Sequence, residues 1–269
     1  MISIPRKKIY FEINNNHRCT IRFESDAVGF LDDIETADRY AFFSLHGPKW
    51  GVTLSEENLL VKEDQKILSL KCQTNSSLWH LKSEHFASND QMARHQSIDV
   101  LEPSTYQDFV ARFLFRKDIF PIGRIASKRL EHVGSNKWHQ YPVDHIELEG
   151  DNHRVTVKVN GWDGAGFFTQ EMYLRDEPGD WWIVHARLMP IAGKALPWIR
   201  WDTRFGRLID LTGGIARAFL SASFIKSKLW YAAERRGKGP NLQAQCLAHL
   251  PAGTRISLST VCHITEPRG

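Results

Sequence analysis

Asp144, His145, Glu171, Tyr173 and His185 are the residues of this 269-residue chain whose types and spacing could move a proton. Asp144 has the parity of Ile146 and Leu148 in a strand-like run, so its carboxyl falls on a nearly all-apolar face. A carboxyl there is costly unless it is bonded, paired or protonated. Desolvation raises its pKa, which is how an acid or base for neutral pH is made. The competing reading places Asp144 at a strand edge beside Pro142, pointing into water. His145, Glu171, Tyr173 and His185 take the opposite parity. A histidine positioned by a carboxylate is a competent general base or acid, and a tyrosine can hold a developing oxyanion. Their competing reading is cross-strand pairing of Glu147 and Glu171 with Lys158 and Arg187 on a solvated surface.

The apolar parity also offers a lining for a small hydrophobic or aromatic ligand: Gln170 as the polar contact, with Phe168, Met172 and Trp182 around it and Trp162 at the rim. Nine tryptophans supply flat apolar surface with one donor each. No metal is expected. The densest histidine group, His80 to His85, reads His-x-x-x-Glu-His, and helical zinc signatures set two histidines on one face with the glutamate beside them. No cofactor is expected either, because the glycine-rich dinucleotide and phosphate loops and the Gly-x-Ser-x-Gly elbow are absent.

The elements that must hold these residues read mostly as strands. Val143–Leu148, Arg154–Asn160, Gly166–Leu174 and Trp181–Leu188 alternate or run apolar between short turn-rich linkers, so residues 128–190 are expected to form an antiparallel meander. Parity splits it into an apolar face and a face that mixes ions with aromatics. The first hundred residues continue in short strands, with residues 78–98 open to either a helical or a strand reading. Ser104 with Gln107 resembles a helix start, and Tyr106, Phe109, Val110, Phe113 and Leu114 have helical spacing, which predicts a helix ending near 116–118. Arg204–Arg236 reads as a second helix.

The composition, 42% hydrophobic and 25% charged, is that of an ordinary globular protein. The expectation is one β-rich domain over 1–269, or two half-barrels over 1–100 and 104–269. No apolar run follows the basic start, and none approaches the roughly 20 residues of a membrane helix. Four scattered cysteines form no Cys-x-x-Cys pair, so reduced thiols and a cytoplasmic protein are expected. Residues 200–238 hold nine Lys or Arg against three acids, a basic segment that could meet an anionic membrane surface or, less readily, nucleic acid.

The phrase Gly179-Asp180-Trp181-Trp182-Ile183-Val184-His185-Ala186-Arg187 resembles the last strand of the SnoaL-like cone-shaped folds. That resemblance implies a curved sheet wrapped around an apolar pocket, a scaffold used by isomerases, cyclases and dehydratases. The family's leading helices have no counterpart in the strand-rich first hundred residues, which a lipocalin-like or double half-barrel arrangement accommodates better. The expected fold is therefore α+β: a strongly curved antiparallel sheet or open barrel, lipocalin-like or cone-shaped, with one or two packed helices. The expected function is cofactor-free isomerisation, cyclisation or dehydration of a hydrophobic ligand, with Asp144 or His185 transferring the proton. The alternatives are a noncatalytic carrier of a lipophilic ligand, or a protein that binds membrane or nucleic acid through 200–238.

Overall fold

The computed structural model describes residues 9–13, 18–23, 26–37, 42–44, 52–62, 64–74, 77–88, 90–106, 108–135, 138–151, 153–191, 196–201 and 242–265. Among them every regular element is a strand. In chain order these are β1 (Ile9–Ile13), β2 (Arg18–Phe23), β3 (Asp26–Ala37), β4 (Phe42–Ser44), β5 (Val52–Val61), β6 (Gln65–Thr74), β7 (Ser77–Ala87), β8 (Gln91–Glu102), β9 (Ser104–Tyr106) and β10 (Asp108–Arg116). Then follow β11 (Ile122–Ile125), β12 (Lys128–Glu131), β13 (Trp138–Tyr141), β14 (His145–Glu149), β15 (Arg154–Asp163), β16 (Phe168–Asp176), β17 (Trp181–Pro190), β18 (Leu196–Trp201), β19 (Leu242–Leu250) and β20 (Arg255–Thr265).

Two large antiparallel sheets result. The first runs β1-β2-β3-β10-β17-β16-β13, with β4 added beside β3, and the second runs β12-β11-β14-β15-β20-β8-β7-β6-β5. A small third sheet joins β18, β19 and β9. One hydrophobic core unites Ala111, Phe113, Phe115, Met172, Trp182 and Val184 of the first sheet with Leu68, Leu81, Ile98, Ile146, Val157 and Leu258 of the second. Each such side chain contributes on the order of 1.5–3 kcal/mol by leaving water.

The expected curved sheet or open barrel, lipocalin-like or cone-shaped with packed helices, is therefore corrected. Among the described residues each large sheet ends in strands with a single neighbour, so neither closes, and no helix occurs. The helix expected after Ser104 is replaced by β9 and β10. β10 lies between β3 and β17 and is buried on both faces, so its apolar residues form a nearly continuous run. A strand of that kind carries no period-2 signal to set against helical spacing. The ambiguous residues 78–98 fall in β7 and β8, paired to each other. The helix expected over 204–236 lies outside the described residues.

The meander is also corrected. β14 and β15 pair as one hairpin and β16 and β17 as another, but β15 pairs onward with β20 and β16 with β13. The chain changes sheet at Gly164–Phe167, where Ala165 and Gly166 have φ of 49° and 71° and Phe168 N–H donates to Gly164 O at 3.1 Å. A Cβ on Gly164 would lie 2.6 Å from Phe168 O, so this corner requires glycine. A short linker fixes a reversal of direction, yet the next strand can lie in the facing sheet instead of alongside. Parity within each strand holds: Ile146, Leu148, Val155, Val157, Phe168, Met172, Leu174, Trp182, Val184 and Leu188 all join the core. The two mixed faces, however, are opposite outsides of the sandwich.

The edge strand β5 is irregular. Ser55 pairs with Lys71 and Asn58 with Ser69, so residues 56 and 57 drop out of register. Cys19, Cys72 and Cys262 are buried thiols outside any disulfide, and burial pushes the Cys262 thiol up to about 12.

Candidate functional site

The outer face of the first sheet carries a cluster of polar side chains that are almost fully enclosed: Asp108, Gln140, Glu171, Tyr173 and Arg187 are all 8% exposed or less. Register places them. Arg112 lies opposite His185, His185 opposite Tyr173, and Tyr173 opposite Gln140, which makes one row across four strands. Arg187 and Glu171 are opposite each other in the next row. Because Trp182, Val184, Ala186 and Leu188 point into the core, Ile183, His185 and Arg187 must point out. β19 of the third sheet approaches β17.

A chain of hydrogen bonds orders the cluster. Arg187 Nη2 donates to Asp108 Oδ2 at 2.6 Å, and its Nη1 donates to Gln140 Oε1 at 2.9 Å. Gln140 Nε2 then donates to Glu171 Oε2 at 2.6 Å. The Arg187 guanidinium stands 5.6 Å from the Tyr173 ring centroid, and Tyr173 in turn stacks on His185 at 4.8 Å and 24°. Buried ionic groups need this degree of pairing, because an uncompensated charge costs several kcal/mol.

His185 stands apart within this network. Its Nε2 is buried and makes no hydrogen bond among the described residues. Burial first, then the charges of Arg112, Arg187 and Arg175, hold its pKa well below 6.5. The imidazole is therefore neutral at pH 7, one ring nitrogen carrying the proton and the other bearing a lone pair. A buried polar atom without a partner costs roughly 1–3 kcal/mol, so the position carries a standing affinity for a ligand hydroxyl or carbonyl.

An apolar patch of Leu114, Tyr173 and Ile183, flanked by Phe30 and Trp181, continues the same face. It leads to a cleft of about 500 Å³ lined by Ala27, Phe30, Arg116, Lys117, Asp118, His132, Asp180 and Trp181. Phe30 and Trp181 stand 5.4 Å apart, tilted by 46°, and Arg116 Nε donates to Asp118 Oδ1 at 2.9 Å. Lys117 turns inward instead, 2.7 Å from Asp176 Oδ1, and donates to Gly179 O at 2.9 Å. Asp176 Oδ2 accepts from Val133 N–H at 3.2 Å and Ser135 N–H at 2.7 Å. Burial alone would raise the Asp176 pKa, but Lys117 and the two backbone donors outweigh it and hold the value at about 2.

Of the residues singled out from the sequence, Glu171, Tyr173 and His185 come together here. His145 does not: it begins β14 on the outside of the second sheet, where its Nδ1 lies 2.7 Å from Asp144 Oδ1. Asp144 precedes that strand with its side chain 56% exposed and Lys158 3.7 Å away, and these partners lower its pKa, the hydrogen bond from His145 most of all. Phe168, Met172 and Trp182 are packed between the sheets, Trp182 Nε1 donating to Phe120 O at 2.7 Å. Gln170 is half-buried and donates to Val143 O, and Trp162 is exposed on β15. Among the described residues no three His, Cys, Asp or Glu side chains are grouped to hold a metal. No helix among them is long and apolar enough to cross a membrane. Apart from Arg200 and Trp201 in β18, the basic segment 200–238 lies outside the described residues.

Sequence reasoning missed Asp108, Arg112 and Gln140. Asp108, Arg112 and Arg116 are four apart, a spacing that one helix face and one strand face share. Gln140 lies in a four-residue strand between turns, too short to show alternation.

No family model and no curated protein matches the chain. Among solved structures, a putative aldose 1-epimerase from Escherichia coli matches with a TM-score of 0.43 at 8% identity, over 96% of this chain and 99% of that one. A galactose mutarotase related enzyme from Lactobacillus acidophilus matches with a TM-score of 0.44 at 9% identity, over 96% and 97% of the two chains. A galactose mutarotase-like protein from Lactobacillus casei gives 0.45 at 9%, over 98% and 100%.

Proposed function

We propose that the outer face of the first sheet is an acid–base active site that isomerises a small, polar, oxygen-rich molecule, with His185 transferring the proton. The observation that supports this most directly is the buried Nε2 of a neutral imidazole, unbonded among the described residues, beside the Asp108–Arg187–Gln140–Glu171 network. In this reading His185 takes a proton from a substrate hydroxyl or from a carbon next to a carbonyl and returns it to the neighbouring position. The guanidiniums of Arg112 and Arg187 stabilise the oxyanion that develops between the two transfers. Tyr173 fixes the imidazole plane by stacking, and Glu171, held by Gln140, accepts a substrate hydroxyl. Isomerisation fits a single proton carrier because it needs no co-reactant. A polar ligand replaces the hydrophobic one expected from the sequence, because the apolar parity of these strands is consumed by the core.

The test is exchange NMR of small hydroxylated carbonyl compounds and their cyclic hemiacetals with wild-type protein and His185→Gln, which keeps the side-chain volume and removes the proton carrier. Catalysed interconversion that falls by about 100-fold or more in the variant is expected. No catalysis by the wild type across the panel, or equal rates for the two proteins, refutes the proposal.

A further inference from the structure

A second constellation lies on the opposite side of the molecule, on the outer face of the second sheet. Ser69 Oγ is 2.7 Å from His80 Nε2, and His80 Nδ1 faces Asp99 Oδ2 at 4.0 Å. Arg255 Nε holds the other oxygen of Asp99 at 3.5 Å. The three residues occupy adjacent strands β6, β7 and β8 in the body of a nine-stranded sheet, with His80 and Asp99 directly paired in register and Arg255 paired to Asp99 from β20. Beneath them Leu68, Leu70, Trp79, Leu81, Ile98 and Val100 are fully packed, so the backbone that carries the group is rigid. His80 and Asp99 are 37% and 39% exposed, open to a ligand from solvent.

We infer that Ser69, His80 and Asp99 form a second reactive site, an acyl-transfer centre for small carboxylic esters with an unhindered acyl group. A hydroxyl bonded to one imidazole nitrogen, with a carboxylate facing the other, is the arrangement that turns serine into a nucleophile. Ser69 Oγ adds to the ester carbonyl carbon as its proton passes to His80 Nε2. The bond to the leaving alcohol breaks and His80 returns the proton to that oxygen, which leaves acyl-Ser69. Water then adds to the acyl carbon, giving its proton to His80. The Oγ–acyl bond breaks, Oγ takes the proton, and the carboxylic acid departs. Asp99 favours the transient imidazolium, acting through His80 as a positioning residue. Lys82, opposite Ser69 in register, is ion-paired with Glu84 on its own strand and 45% exposed, and in this reading its ammonium turns from that solvent-accessible carboxylate to the tetrahedral oxyanion. His80, Asp99 and Lys82 are each more than a third exposed, so the face is open to solvent, and the substrate class is accordingly small and unhindered.

The experiment treats the full chain with a fluorophosphonate, which esterifies an activated serine with loss of fluoride, and maps the adduct by mass spectrometry. One adduct on Ser69 is expected in the wild type, with labelling slowed at least about tenfold in His80→Gln. Hydrolysis of p-nitrophenyl acetate should fall to the buffer rate in Ser69→Ala. The His185→Gln protein should label like wild type, which separates this site from the one on the first sheet. No adduct on wild type, an adduct on another serine, or undiminished ester hydrolysis by Ser69→Ala overturns the inference. The labelling is read on the unaltered protein and so does not depend on a variant folding.

Discussion

Replacing Asp176 by asparagine leaves the buried Lys117 ammonium without its counter-charge while keeping the side-chain volume. Both side chains are almost completely enclosed, at 1% and 3% exposure, and the carboxylate also gathers two backbone donors at the rim of the cleft. Removing one member of a buried pair costs about 3–5 kcal/mol, because the remaining charge stays desolvated. The pKa gives an independent figure. Asp176 falls from 3.8 to about 2 on folding, and 1.36 kcal/mol per unit makes its ionisation worth about 2 kcal/mol of stability. The folded value is depressed, so this contribution is complete above pH ~5 and is lost as the pH falls toward about 2. At pH 3 roughly half of it remains. Urea unfolding of wild type and Asp176→Asn at pH 7 should therefore differ by about 3 kcal/mol or more. The gap should narrow by about 1 kcal/mol between pH 5 and pH 3. A variant within about 0.5 kcal/mol of wild type, or a gap that does not change with pH, refutes the assignment of Asp176 as an ionised partner of Lys117.

Gly164→Ala should lower stability by roughly 2 kcal/mol or more, since its Cβ would meet the Phe168 carbonyl at 2.6 Å, and a drop in Tm of several degrees reports it. Asp144→Asn should change stability by less than about 0.5 kcal/mol in the same denaturation assay and leave any catalysed isomerisation untouched, because its partners His145 and Lys158 are solvent-exposed. His185→Gln should abolish proton transfer while preserving the far-ultraviolet circular dichroism of the sheets, the two measurements together distinguishing a lost proton carrier from a lost fold.

Strand parity was the most legible feature of the sequence. The alternation Val155, Val157, Val159 and the run Trp182, Val184, Ala186, Leu188 assign an inner face strand by strand, and those residues form the core. The same parity unites Glu171, Tyr173 and His185, because β16 and β17 are neighbours. It could not tell that His145 belongs to the other sheet, since side-chain alternation carries no information about which sheet a strand joins. That choice is made at Gly164 by a corner whose left-handed backbone leaves no period in the sequence. β10 was hidden for a different reason: burial on both faces erases alternation, and its polar residues Asp108, Arg112 and Arg116 fit either period. The partners that complete the cluster, Asp108 and Gln140, are far from His185 along the chain and meet it only through pairing across the sheet.

The irregular edge at β5 bears on how the protein behaves at high concentration. Among the described residues β5 pairs only with β6, an edge position that invites a strand from another copy to add on, and Leu59 and Leu60, both exposed, would make that addition adhesive. The lost register at residues 56 and 57 breaks the strand into two short regular stretches, from Val52 to Ser55 and from Asn58 to Val61. An incoming chain could zip along only one of them before the ladder fell out of step. Three residue steps on β5, from Ser55 to Asn58, face two on β6, from Lys71 to Ser69, so deleting one residue at the break should restore the register and turn a well-behaved rim into a seed for fibre growth.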